Sequence, residues 1–190
     1  ALDVTTQAQI LELMEDLRQK FNTGTMFITH DLGVVAEICD RVIVMYLGQV
    51  IEETDVHSLF NSPAHPYTRG LLASTPSVDT DPEQDLPIIP GAVPTLTNVP
   101  YGCRFADRCP FAIDACREAP VELREYAGAD AQDGVRHQVR CIRAEEIPGL
   151  IAEQEASDEA EGFPTDPSEA DPEPAGNGVI NTGQDEHQGD

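Results

Sequence analysis

The chain has 190 residues, 11 Lys+Arg against 35 Asp+Glu, and a formal net charge of -24, with a pI near 4.2. So acidic a balance excludes nucleic acid as a direct partner, because nothing could neutralise a row of phosphates. No apolar run of about 18 residues could span a membrane, and no charged n-region leads into an apolar stretch as a secretory signal would.

In chain order, residues 5–21 set Ile10, Leu13, Met14, Leu17 and Phe21 at the spacing of one buried helical stripe. Asp3 or Thr5 caps its start, and Asn22-Thr23-Gly24 ends it. Thr25-Met26-Phe27-Ile28-Thr29 reads as a short buried strand stopping at His30-Asp31. A short helix follows with Leu32, Val35, Ala36 and Cys39 on one side. Residues 41–46 and 49–52 predict two strands joined at Leu47-Gly48 in a tight hairpin, and Asp55 caps a helix through Phe60. Residues 1–74 thus read as the closing portion of an α/β domain, with too few strands for a sheet with its own core. The opening Ala1-Leu2-Asp3 reads as the inside of something larger.

Residues 75–100 form a connector whose six prolines exclude helix. Residues 101–146 hold four of the five cysteines, and residues 147–190 read as an acidic, disordered tail. Ten of the basic residues are Arg and only Lys20 is Lys, a Lys-poor acidic surface that suits a salt-filled cytoplasm; the expectation is a halophilic archaeal source.

A polar His30 at the end of an apolar run is carried to the carboxyl edge of a sheet, where α/β proteins place ligands. Its imidazole can hydrogen-bond a phosphate oxygen or a positioned water. With Ala1-Leu2-Asp3 upstream, and Asp40-Arg41-Val42-Ile43-Val44-Met45 and Gly48 downstream, the ensemble resembles the end of an ABC-transporter nucleotide-binding domain. The resemblance implies a RecA-like α/β fold, a D-loop at Asp3 acting across a head-to-tail dimer, and a switch His30 at the γ-phosphate of Mg-bound ATP. The phosphate loop, the Leu-Ser-Gly-Gly-Gln signature and the Walker B carboxylate are absent, so the chain alone is expected neither to bind ATP tightly nor to hydrolyse it. It reads as a C-terminal fragment.

The spacing Cys103-x5-Cys109-x6-Cys116-x24-Cys141 can bring four thiols to one soft metal centre. Disulfides, a structural Zn²⁺ site and a [4Fe–4S] cluster all compete for this set. His137 stands as an alternative ligand or a nearby hydrogen-bonding residue, and Cys39 as a small buried residue. Arg104, Arg108, Arg117, Arg140 and Arg143 would offset the charge of a thiolate cluster or form surface ion pairs.

His65-Pro66-Tyr67-Thr68-Arg69-Gly70-Leu71-Leu72, Ile89-Pro90-Gly91-Ala92-Val93-Pro94 and Gly102-Cys103-Arg104-Phe105-Ala106-Asp107-Arg108-Cys109-Pro110 resemble the C-terminal extension of oligopeptide/dipeptide importer ATPases. That resemblance implies an iron–sulfur cluster on Cys103, Cys109, Cys116 and Cys141, serving as a structural staple or a redox sensor. It also implies a second ATPase subunit, membrane permease partners and a place at the cytoplasmic face of the membrane. The rival expectation is a stand-alone iron–sulfur or zinc module without ATPase activity.

Overall fold

The β-branched run Val42-Ile43-Val44 and the turn pair Leu47-Gly48 dictate the central hairpin. Leu47 and Gly48 both take positive φ (47° and 72°), which matches the right-handed twist of a two-residue turn. β1 (Arg41–Tyr46) and β2 (Gln49–Asp55) pair antiparallel from Arg41↔Asp55 to Tyr46↔Gln49, with a bulge between Val44 and Met45. The computed structural model describes residues 4–76, 86–95, 97–128 and 134–160. These fall in two units, Ala1–Ala152 and Glu153–Asp190, the second described only as far as residue 160.

Before the hairpin come α1 (Val4–Phe21) and α2 (Leu32–Ile38), and after it α3 (Val56–Asn61) and α4 (Pro66–Ala73). Short polar residues start three of them. Asp31 Oδ1 accepts from the amides of Gly33 (2.9 Å) and Val34 (3.2 Å), Asp55 Oδ1 from Ser58 (3.1 Å), and His65 Nδ1 from Tyr67 (3.0 Å). Pro66 at the first turn of α4 costs no hydrogen bond there.

The hairpin does not stand alone. Two two-residue strands, β3 (Arg124–Glu125) and β4 (Gln138–Val139), extend it into a four-stranded antiparallel sheet of order β1-β2-β4-β3. Glu52 stands opposite Val139 and Glu53 opposite Gln138. Among the described residues, 1–74 hold only β1 and β2, and the cysteine-bearing segment adds the other two strands to the sheet. Two apolar clusters back this sheet. One gathers Ala64, Tyr126, Val139, Cys141, Ala144 and Ile147, the other Tyr46, Ile51 and Phe105. A short helix α5 (Ala115–Glu118) carries Cys116.

Some expectations need correction. Thr25–Thr29 is not a strand: Met26 is 86% and Ile28 95% exposed, because no neighbouring strand among the described residues offers a ladder of hydrogen bonds. The predicted α1 stripe of Ile10, Leu13, Met14, Leu17 and Phe21 is not buried, and the one buried residue described in α1, Leu11, lies outside it. The segment assigned to a disordered tail begins as α6 (Ile147–Ala160), since Ile147 is fully buried and Ile151 packs on the same cluster. Residues 161–190, Asp3 and the connector residues 77–85 lie outside the described residues.

Candidate metal centre

Cys103, Cys109, Cys116 and Cys141 line one cavity, together with His65 and Phe105. The chain is folded for this convergence. Cys103 N donates to Cys116 O at 2.8 Å, tying the first thiol segment to the third. Successive tight turns, Ala106 N to Cys103 O (3.0 Å) and Ala112 N to Cys109 O (3.2 Å), wrap the loop between them. At Gly102 a Cβ would lie 2.3 Å from Cys116 O, so only glycine allows the two backbones this close.

All five cysteines are free thiols. Burial pushes Cys109 up to about 11 and Cys141 up to about 12, with the neighbouring thiols adding to the rise. Burial also raises Cys103, against the amides of Phe105 and Ala106, which favour its thiolate. The Arg143 amide donates to Cys141 Sγ at 3.4 Å. Such amide–sulfur contacts are what a thiolate needs once its proton leaves. Among the described residues no group of three or more His, Cys, Asp or Glu stands in ion-holding geometry, and the free volume of the whole cavity is about 10 Å³, room for one water-sized sphere. The donor chemistry, four soft sulfurs in an apolar-walled cavity, nonetheless fits a soft metal.

His137 is 3% exposed and spends Nε2 on Glu52 Oε1 at 2.8 Å. It is not among the cavity-lining residues, so the structure gives it the hydrogen-bonding role. Glu52, fully buried, also accepts from Ala64 N (2.6 Å) and His65 N (2.9 Å). Burial alone would raise this carboxyl; the bonds from His137 and the two amides outweigh it and hold Glu52 below the usual range. Glu52 thus fastens β2 to β4 and to the start of α4. Sequence reasoning missed it, although a glutamate inside an apolar strand was a signal. Cys39 is half-buried, ends α2 through its amide to Val35 O, and is not a cavity residue.

The arginines were expected to balance a cluster or pair on the surface; Arg117 pairs with Asp107 (3.4 Å) and Arg143 with Glu146 (2.8 Å), and several also bind backbone carbonyls. Arg140 donates to Val50 O and Val121 O (both 2.7 Å), Arg143 to Phe111 O (2.7 Å), Arg108 to Pro90 O (2.9 Å), and Arg104 to Leu47 O. Arg104 and Arg140 thereby tie the thiol segment to the hairpin.

His30 lies exposed just ahead of the Asp31 cap of α2, whose own amide donates to Thr29 Oγ1 at 3.0 Å. The structure does not bring it to the thiols. Asp3, its expected companion, lies outside the described residues.

With this geometry in hand, the kinship of the thiol segment can be stated. Residues 51–116 match the family of the oligopeptide/dipeptide transporter C-terminal region. The chain is also 62% identical over 147 residues to the oligopeptide transport ATP-binding protein AppD of Bacillus subtilis, covering 77% of this chain and 42% of the relative. It is 51% identical over 150 residues to the probable peptide ABC transporter ATP-binding protein y4tR of Sinorhizobium fredii, covering 79% and 43%. The oligopeptide transport ATP-binding protein OppD of Bacillus subtilis is 55% identical over 123 residues, covering 64% and 34%. The chain spans less than half the length of these curated relatives. None of the three supports the expected halophilic archaeal source. No helix among the described residues is long and apolar enough to cross a membrane.

Proposed function

We propose that the chain is part of the ATP-binding subunit of an ABC importer for di- or oligopeptides, coupling ATP hydrolysis to uptake. The observation that carries this reading is the 62% identity over 147 residues to an oligopeptide transport ATP-binding protein. In it His30, exposed ahead of α2, meets the γ-phosphate of Mg-bound ATP, and Asp3 acts across a head-to-tail dimer with a second ATPase subunit. The dimer sits on permease subunits at the cytoplasmic face of the membrane. The phosphate loop that hydrolysis requires is not among these 190 residues, so the test uses the intact subunit in its assembled transporter. His30→Ala there should lower ATP hydrolysis and labelled-peptide uptake together, by about 100-fold. Unchanged hydrolysis would overturn the role of His30, and hydrolysis without peptide uptake in the wild type would overturn the function.

The four thiols read as the ligands of a [4Fe–4S] cluster on Cys103, Cys109, Cys116 and Cys141, as the oligopeptide-importer resemblance implies. Such a centre, when bound, cross-links the chain and supplies one-electron chemistry. The residues' own part is to hold it: Gly102 admits the backbone approach, and the Arg143 amide stabilises the Cys141 sulfur. A free space of about 10 Å³ favours a second reading, a single Zn²⁺, which needs less expansion of the cavity.

A further inference from the structure

We propose that His65 is a hydrogen-bond donor to the metal centre, giving Nε2–H to a sulfur of the set Cys103, Cys109, Cys116 and Cys141. The proposal rests on the four-thiol cavity being a metal site.

His65 is 1% exposed, and its Nδ1 accepts the Tyr67 amide at 3.0 Å. That bond commits the Nδ1 lone pair, so a neutral ring carries its proton on Nε2. Nε2 is buried and has no hydrogen-bond partner among the described residues. A buried donor left unmade is costly, and native folds rarely keep one without a use. The same ring lines the cavity that holds the four thiols. A protonated thiol is a weak acceptor, whereas a metal-bound thiolate accepts strongly. The orphaned donor and the weak acceptors therefore satisfy each other only when metal has displaced the thiol protons.

The ring is also held in place. Its backbone amide donates to Glu52 Oε2 at 2.9 Å, Pro66 follows it at the first turn of α4, and Phe105 packs against it with ring centroids 5.9 Å apart. Through Glu52 the donor is linked to His137 just before β4, so one buried network joins the hairpin, α4 and the thiol cavity.

His65→Asn separates the two nitrogens, because an asparagine can still cap α4 while it loses the Nε2 donor. Intact wild type and variant, purified anaerobically, are titrated with Zn²⁺ and then with a competing chelator, with far-UV circular dichroism as the control for folding. The variant should hold metal about 10- to 100-fold more weakly. Equal affinity at equal helix content overturns the role of His65 and leaves the metal site standing. A wild type that neither carries iron and sulfide nor takes up Zn²⁺ overturns both. Should the variant not fold, ring ¹H–¹⁵N correlation on ¹⁵N-labelled wild type decides. A Nε2–H signal that shifts on Zn²⁺ loading supports the donor; a proton on Nδ1, or no shift, overturns it.

Discussion

The two ends of the described chain differ in how they treat apolar residues. Between β2 and Ile147 a core forms: Ile51 and Phe105 are 2% exposed, and Leu59, Val139 and Ile147 are fully buried, although Ile88 and Tyr101 stay outside. From α1 to Ile28 only Leu11 is buried among the described residues, and Leu13 is 57%, Phe21 63% and Ile28 95% exposed. Composition does not separate these stretches; neighbours do. The later one closes a sheet with its own β3 and β4, whereas the earlier stripe and its strand-like run meet no covering element among the described residues. The relatives, of whose length the matched stretch is 42–43%, have the length to supply that cover.

The sharpest way to break the contrast is at Glu52. Glu52→Ala leaves His137 and two amides without their acceptor at a fully buried site, and should cost about 3–5 kcal/mol in urea unfolding. A loss no larger than that of a surface substitution would mean that β2 and β4 are not fastened there.

A pair of truncations compares the two ends directly. Leu59→Ala, at a fully buried position, should cost about 2–5 kcal/mol. Leu13→Ala in this same chain should stay within about 0.5 kcal/mol, its side chain being exposed already. Equal losses would show that α1 has found a core after all. Gly102→Ala comes next, at about 1–3 kcal/mol, because its Cβ meets a backbone oxygen rather than a side chain that could swing away.

Acid gives the smallest and most specific effect. Glu52 sits below its ordinary 4.5 in the folded chain, so its stabilisation is fully present above that pH and is lost as pH falls through the folded value. Urea midpoints of the wild type should therefore drop below about pH 4.5 more steeply than those of Glu52→Gln, and parallel curves would remove Glu52 from the acid transition.

Local chemistry made part of this architecture legible in the sequence. The Leu47-Gly48 hairpin and the Asp31 and Asp55 caps follow from turn and capping preferences that need no partner. The convergence of four thiols followed from their density. What escaped depends on distant segments. β3 and β4 are two residues each, and their strand character exists only against β2. Thr25–Thr29 fails for the converse reason: its apolar, β-branched pattern is present and no ladder partner stands among the described residues. The arginines' carbonyl partners lie up to 90 residues away, beyond any periodic reading. Two signals stood in plain view. Ile147, Leu150 and Ile151 carry helical spacing inside a stretch judged by its charge, and His65, at the head of a quoted motif, was weighed only for resemblance.

The claim that Cys103, Cys109, Cys116 and Cys141 form one metal centre is tested most directly by metal and sulfide analysis of the anaerobically purified intact subunit, with its visible spectrum. The account predicts a metal-loaded protein, brown with iron and sulfide in equal amounts, that loses its metal in Cys103→Ser and in Cys141→Ser alike. Zinc in a colourless protein would replace the cluster by a single ion. A protein that folds with neither metal, and is indifferent to both substitutions, would contradict the claim.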